Sequence, residues 1–168
     1  VQTALPKTRV RPRVSRRTQA ERTALSDARM FDAAMQLIVE HGTHATTLKA
    51  VGERAGYSRG LASSRFGSKD ALFGQLVLHF NTSWTQELAN KVGTRGGVQA
   101  CLAALCAVED FLSSHSKYMQ AMYILWFESI STHNDVRDHL AAYHEIYRSD
   151  VAHWVEEGIA SGEIDTAV

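Results

Sequence analysis

The 168-residue sequence predicts an all-α protein. Apolar residues recur at helical spacing through most of the chain, and no run of alternating apolar and polar residues indicates a strand. Both prolines, Pro6 and Pro12, lie near the start, so no proline interrupts the chain after residue 12. Glycines separate the helical segments instead. These observations predict a set of helices joined by short turns.

Residues 1–24 are expected to form a flexible basic arm. They contain seven Lys and Arg residues against one acidic residue, Glu21, and they lack apolar periodicity. No apolar core follows the charges, so a secretory signal is not indicated.

The first predicted helix covers residues 26–42. Ser26 can cap it, Asp27 lies in its first turn, and Gly42 closes it. Its apolar residues form one helical face, and we assign them to the core. They are Phe31, Ala34, Met35, Ile38 and Val39.

Residues 47–73 predict two very short helices joined by a glycine turn, followed by the start of a longer helix. Thr47, Ser58 and Ser68 can cap the three helices in turn. Gly52 permits close approach of two helices, and Gly56 stands where a helix end favours a left-handed residue. This pattern is typical of a helix-turn-helix DNA-binding unit. Small helical proteins without that function also contain pairs of short helices joined by a tight turn.

Charge is divided along the chain in a way that favours a nucleic-acid partner for the N-terminal part. The whole sequence carries 18 basic and 18 acidic residues. Residues 1–70 hold 13 basic and 6 acidic residues, whereas residues 71–168 hold 5 and 12. The first segment is therefore suited to binding phosphates, and the second to another role.

Residues 68–168 predict four longer helices that form a bundle. They cover residues 68–92, 98–112 and 117–130, and a last helix that Asn134 and Asp135 can cap and that fades at Gly158 and Gly162. The first of these helices starts beside the helix-turn-helix unit and ends in the bundle, which suits it to act as a lever. We place the domain boundaries after residues 24 and 73.

Three segments in this order and spacing resemble the DNA-binding domain of the tetracycline-repressor (TetR) family of bacterial regulators. They are DAAMQLIVEHG at residues 32–42, TLKAVGERAGYSRG at 47–60, and FGSKDALF at 66–73. The resemblance covers about a quarter of the chain closely. It implies a homodimer that binds double-stranded operator DNA with the second short helix, residues 58–66, in the major groove.

The resemblance also implies individual DNA contacts. Arg59 matches a base-reading position and suits guanine, and Lys49 can reach a base or a phosphate. Ser63 and Ser64 replace aromatic residues that are common in the family, and Arg65 replaces a common histidine, so we expect a polar, G·C-directed readout. The predicted DNA-binding residues are Thr47, Lys49, Ser58, Arg59, Gly60, Ser63, Ser64, Arg65 and Lys69. The basic arm either enters the minor groove beside them or adds only non-specific affinity.

The bundle is predicted to enclose a pocket for a small effector, as the resemblance implies. An apolar or aromatic effector is favoured over an anion because few Lys or Arg residues lie in this half. For each lining residue, packing in the core is the alternative role. The candidates are Phe111, Met119, Met122, Tyr123, Trp126, Tyr143 and Tyr147.

Other site chemistries are not indicated by the sequence. His139 and His144 are five residues apart and do not share a helical face, so we expect no metal site and no cofactor. Cys101 and Cys106 are spaced poorly for a disulfide, and two cysteines suit a reducing cytoplasm. No nucleophile–base set or phosphate loop indicates an enzyme, and no apolar run is long enough to predict a membrane span.

The sequence therefore predicts a transcriptional regulator, specifically a repressor released by a small ligand. The alternative is an accessory or architectural DNA-binding protein whose bundle contacts only other proteins. Family members usually continue with two helices that form the dimer interface, so we expect the chain to be C-terminally incomplete. In that case Tyr123, Trp126 and Trp154 are expected to be partly exposed.

Overall fold

The computed structural model describes residues 18–130 and 135–165, except for the side chains of Arg59 and Asp135. Seven helices and no strand occur within these ranges. They are α1 (Gln19–Ala45), α2 (Leu48–Arg54), α3 (Arg59–Phe66), α4 (Lys69–Val92), α5 (Gly97–Ser114), α6 (Ser116–Ser129) and α7 (Asp135–Ala160). The all-α fold class predicted from the sequence is confirmed.

Helix α1 begins seven residues earlier than the sequence analysis placed it. Thr18 caps it: the Glu21 amide donates to Thr18 Oγ1 at 3.2 Å, and the Thr18 amide donates to Glu21 Oε2 at 2.7 Å. This reciprocal capping box fixes the helix start. Ser26 is not the cap, because its hydroxyl donates to the Thr23 carbonyl within the helix. Residues 19–24, which we assigned to the basic arm, are therefore helical.

Helices α1 to α3 and the first turns of α4 form the reading head. Gly42 breaks the helical backbone of α1 with φ 75° and ψ 171°, which turns the chain toward α2. Val51 of α2 and Ala62 of α3 are fully buried beside Met30, Ile38 and other residues of α1. The two short helices are therefore stabilised by the long helix behind them.

Helices α4, α5 and α7 form the distal part of the bundle. Two amides at the start of α5 are capped by carboxylates, one from Glu157 of α7 and one from Glu163 in the turn that follows α7. The Gly97 amide donates to Glu157 Oε2 at 3.1 Å, and the Val98 amide donates to Glu163 Oε2 at 3.0 Å. Glu157 thereby joins α7 to α5.

The apolar core of the reading head continues into the bundle. One cluster of buried residues joins Ile38 and Phe66 of the head to Leu125 of α6 and Leu140 of α7. Helix α4 crosses residue 73, where we placed the domain boundary, and α1 packs along α6. The two parts share this core. The position of the boundary between them therefore stays a prediction.

Helix α5 has the length and apolar composition of a membrane-spanning helix. It nevertheless packs along α4 and α7 as a member of the bundle. A single helix that meets these two criteria is weak support for a membrane span.

Candidate nucleic-acid interface and ligand cavity

The turn between α2 and α3 is fixed by two glycines. Gly56 has φ +79°, in the left-handed region that favours glycine. A Cβ atom on Gly52 would lie 3.1 Å from the Ser58 carbonyl oxygen and 3.6 Å from Ala62 Cβ. Thr47 caps α2 by accepting a hydrogen bond from the Ala50 amide at 3.1 Å. The close approach predicted for Gly52 and the left-handed turn predicted for Gly56 are both confirmed.

Helix α3 presents a polar, exposed face away from the core. Gly60, Ser63 and Ser64 are exposed, whereas Ala62 and Phe66 are buried against α1 and α4. Ser58 holds the N-cap position with extended backbone, but its side chain makes no capping hydrogen bond. Its hydroxyl is therefore not engaged in holding α3. The base contact predicted for Arg59 concerns a side chain outside the described residues.

Two arginines of the reading head form ion pairs with α1. Arg54 Nη1 lies 2.6 Å from Glu40 Oε2, and this partner lowers the pKa of the Glu40 carboxyl. Arg65 makes a bidentate pair with Asp27, with distances of 2.7 Å from Nε to Oδ1 and 2.8 Å from Nη2 to Oδ2. The Asp27 carboxylate raises the pKa of Arg65. These pairs join α2 and α3 to α1. Arg65, which was predicted to contact DNA, therefore also stabilises the position of α3 on α1.

The two predicted lysine contacts lie at helix starts on either side of α3. Lys49 is exposed in the first turn of α2. Lys69 begins α4, where Ser68 caps the helix by accepting from the Ala71 amide at 3.0 Å. Lys69 Nζ is 3.4 Å from the Thr43 carbonyl and 5.9 Å from the centre of the Phe73 ring. The two lysines therefore lie before and after α3 along the chain, and their contacts with DNA stay predictions.

Residues 1–17 lie outside the described part of the chain. The predicted arm contacts with DNA fall almost entirely in this range. They stay predictions.

The bundle contains a cavity of about 200 Å³ between α4, α5, α6 and α7. All seven residues proposed from the sequence as pocket-lining line this one cavity. The structure adds seven more, which the sequence analysis did not name as lining residues: Phe80, Asn81, Trp84, Val108, Leu112, Leu140 and His144. One residue can both pack in the core and line the cavity, because Phe111 and Met122 are buried and also face the cavity.

Aromatic rings in the cavity wall contact one another. The Phe111 ring lies 5.4 Å from Phe80 and 5.2 Å from Trp84, with edge-to-face geometry in both pairs. Across the cavity, Tyr123 stacks on Trp126 at 6.0 Å between ring centres. Such pairs hold their rings in place and leave an apolar wall between them.

Few polar groups face the cavity. Asn81 is buried, its Nδ2 donates to the Val77 carbonyl at 2.9 Å, and its Oδ1 accepts from the Tyr147 hydroxyl at 2.7 Å. His144 packs against Trp126, with ring centres 4.1 Å apart. A sequence signal for Asn81 existed, because it is a polar residue on the apolar stripe of α4. The sequence analysis weighed His144 only as a metal ligand and did not place it in the pocket.

Helix α6 lies between the cavity and the reading head. Its residues Met119, Met122 and Trp126 line the cavity. On the side that faces α1, the Tyr118 hydroxyl donates to Asp32 Oδ1 at 2.9 Å, and Thr43 Oγ1 donates to Glu128. Burial and the Asp32 carboxylate raise the pKa of Tyr118. A displacement of α6 would therefore reach α1 through direct contacts.

Large apolar side chains are exposed on the outer faces of the bundle. Phe127, Leu105 and Ile130 are 71%, 66% and 65% exposed. Tyr123 is 41% exposed, and Trp126 and Trp154 are half-buried. Partial exposure of these last three residues was expected from the sequence.

The cysteines and the other possible metal ligands form no further site in the described ranges. Cys101 and Cys106 are free thiols. Within residues 18–130 and 135–165, no group of three or more His, Cys, Asp or Glu side chains has an arrangement that could hold a metal ion.

Comparison with known proteins identifies the reading head. Residues 31–76 match the family of bacterial regulatory proteins described as the tetR family. The HTH-type transcriptional regulators BetI of Burkholderia cenocepacia (strain HI2424) and Burkholderia ambifaria (strain MC40-6) are each 30% identical over 105 residues. This match covers 61% of the present chain and 54% of each relative, so the chain spans about half the length of these curated relatives.

Two solved structures share the fold. A TetR-like transcriptional regulator from Rhodococcus sp. RHA1 superposes with a TM-score of 0.69 at 20% identity, covering 88% of this chain and 76% of that one. The fatty acid degradation regulator FadR from Bacillus halodurans superposes with a TM-score of 0.67 at 18% identity, covering 84% and 74%. The likeness extends through both the head and the bundle. Residues 31–76 therefore match the tetR family of bacterial regulatory proteins, and the chain shares its helical fold with these two solved structures.

Proposed function

We propose that this chain is a sequence-specific transcriptional repressor that binds a palindromic operator as a homodimer and is released by a small apolar or aromatic effector. The observation that carries this proposal is the position of α6, which lines the cavity on one side and contacts α1 of the reading head on the other. The same chain thus places a ligand-sized space one helix away from a DNA-reading unit.

The DNA-binding half of the proposal is supported by the exposed polar face of α3 and the lysines beside it. Serine hydroxyls and lysine ammonium groups bind phosphate oxygens, whereas arginine is suited to a bidentate contact with guanine. Arg59, at the first position of α3, is the proposed base-reading residue. Thr47, Lys49 and Lys69 are proposed to contact phosphates.

Release by an effector is proposed to act through α4 and α6 together. Met122 belongs both to the cavity wall and to the core that continues into the head. A ligand that pushes α6 outward therefore disturbs the packing of α1. In a dimer this changes the separation of the two α3 helices, which must match operator half-sites about 34–36 Å apart or a multiple of that spacing.

A homodimer is supported by the exposed apolar side chains of α5 to α7, such as Leu105 and Phe127, because exposed apolar surface suits a protein–protein interface. These same side chains also suit contacts with a different protein. An accessory DNA-binding protein whose bundle binds only protein is therefore the second candidate. The cytoplasm is the proposed location, because a regulator must reach the chromosome.

The proposal is tested by selecting bound fragments from random genomic DNA at two salt concentrations. We expect a palindromic site that remains bound at the higher salt, because base contacts add affinity that salt does not remove. Binding that is blind to sequence and lost at the higher salt would contradict the proposal. Selection of a site with no release by any cavity ligand would favour the accessory protein.

Two variants separate base contacts from phosphate contacts in the same assay. Arg59→Ala is expected to lower affinity for the selected site by roughly tenfold or more, with little change on random DNA. Lys69→Ala is expected to weaken both about equally. The reverse ranking would overturn the assignment of these two residues.

A further inference from the structure

The volume of the bundle cavity limits the part of a ligand that it can enclose. The cavity opens to solvent beside Val108, Leu112 and Tyr123, which are 40%, 40% and 41% exposed. A dry apolar cavity of roughly 150 Å³ in another protein binds benzene. The present cavity offers about 200 Å³ with a wall of aromatic, Leu, Val and Met side chains. This space fits a single six-membered ring with one or two small substituents, or roughly eight non-hydrogen atoms by the same comparison.

The composition of the wall argues against a charged ligand. No Asp, Glu, Lys or Arg is among the described residues that line the cavity. An ion buried there would lose its hydration without gaining an opposite charge. A cation could use ring faces instead, but Trp126 already packs against both Tyr123 and His144. The wall therefore favours an uncharged ligand.

The polar groups of the wall differ in whether they are already engaged. Asn81 and the Tyr147 hydroxyl are hydrogen-bonded to each other, and Asn81 also to Val77. The imidazole of His144 makes ring contacts with Trp126 and Tyr147, and neither of its nitrogens has a hydrogen bond within the described residues. His144 therefore offers a hydrogen-bonding nitrogen to a ligand. The other lining groups without a hydrogen bond among the described residues are the Tyr123 and Tyr143 hydroxyls and the Trp84 and Trp126 ring N–H groups.

We infer that the cavity binds an uncharged monocyclic aromatic compound with one hydroxyl group, and that His144 hydrogen-bonds this hydroxyl. The inference rests on the proposed effector site, and it adds the ligand class and the residue that selects it. Trp126 and Phe111 hold the ring by apolar contact, whereas the Asn81–Tyr147 pair stays intact.

Calorimetric titration of the full chain with four matched probes tests the ligand class. The probes are 4-methylphenol, toluene, benzoate and benzylammonium, which all have about eight non-hydrogen atoms and so differ chiefly in polarity and charge. We expect 4-methylphenol to bind about fivefold more tightly than toluene, because it gains one neutral hydrogen bond. The anion and the cation are expected to bind at least tenfold more weakly than 4-methylphenol, since neither finds a partner charge. Tighter binding of either ion would overturn the class.

Variants test the residue. His144→Leu keeps the apolar wall, so it should remove the preference for 4-methylphenol while toluene still binds. His153→Ala, on the same helix but paired with Glu157 outside the cavity, is the control and should keep the preference. If Tyr143→Phe removes the preference and His144→Leu does not, the assignment to His144 is overturned.

The probe titration and the DNA selection test separate claims, so one can fail without the other. Failure of both uncharged probes to bind would overturn the ligand class without bearing on the DNA selection. A bound probe that leaves the selected operator occupied would keep the ligand class and contradict the release mechanism.

Discussion

Arg65 of α3 and Asp27 of α1 are joined by two parallel hydrogen bonds, of 2.7 and 2.8 Å. The pair links the end of the proposed recognition helix to the N-terminal half of α1, the helix that supports it. Planar, bidentate pairs of this kind fix orientation as well as distance. Arg65 is therefore placed to hold α3 at a set angle on α1, whatever contact it also makes with DNA.

Removing either partner of this pair should have the same small effect. We expect Arg65→Ala and Asp27→Ala each to lower the free energy of unfolding by about 0.5–1 kcal/mol, because both side chains are partly exposed. The double variant should add little to either single change. Urea unfolding followed by circular dichroism measures all three. A much larger loss of operator affinity for Arg65→Ala than for Asp27→Ala would instead make Arg65 chiefly a DNA contact.

A side chain at Gly52, where α2 and α3 cross, should destabilise the fold. A Cβ atom there would meet the Ser58 carbonyl oxygen at 3.1 Å, and this carbonyl is fixed by its bond from the Leu61 amide. We expect Gly52→Ala to destabilise the protein by about 1–2 kcal/mol.

Gly60→Ala is the matched control for this substitution. Nothing lies within 4 Å of a Cβ atom at Gly60, so alanine should be neutral or stabilising by about 0.5 kcal/mol through helix propensity. Thermal or urea unfolding compares the two. Equal stability of both variants would mean that the turn between α2 and α3 accommodates a Cβ atom at Gly52 without loss of stability.

Tyr118→Phe should weaken communication between the cavity and the reading head. The change removes the hydrogen bond from the Tyr118 hydroxyl to Asp32 and leaves the ring in place. We expect a loss of about 1 kcal/mol in unfolding free energy. The ligand-induced drop in operator affinity should also become smaller, while ligand affinity itself changes little. An unchanged ligand response would show that the Tyr118–Asp32 hydrogen bond does not carry the coupling.

Tyr147 should make the stability of the bundle sensitive to high pH. Burial raises the pKa of Tyr147 to about 12. Because the folded state disfavours the phenolate, its contribution to stability is complete below the ordinary tyrosine pKa of about 10 and is lost as pH rises toward 12.

Tyr147→Phe should therefore reduce the fall in unfolding free energy between about pH 10 and 12. Urea titrations of both proteins across this range measure the difference. Identical slopes in the variant and the natural sequence would show that the hydroxyl remains in contact with water.

Much of the fold followed from local sequence signals. The serine and threonine caps at Thr47 and Ser68, and the left-handed Gly56, were predicted because caps and turns depend on a few neighbouring residues. The start of α1 was placed wrongly at Ser26, although the Thr18–Glu21 box is also a local signal. It was overlooked because basic residues dominate that segment.

The sequence by itself determined the all-α class, the helix-turn-helix unit and the family that this unit resembles, since these depend on periodicity, caps and spacing along one stretch of chain. It also indicated apolar stripes with aromatic residues on α4, α6 and α7. Only the tertiary structure decided that these stripes meet at one cavity, that Asn81 and His144 join them, and that Arg65 is bound to Asp27. Each of these contacts joins residues on different helices, so it depends on how the helices pack and not on spacing along any one of them.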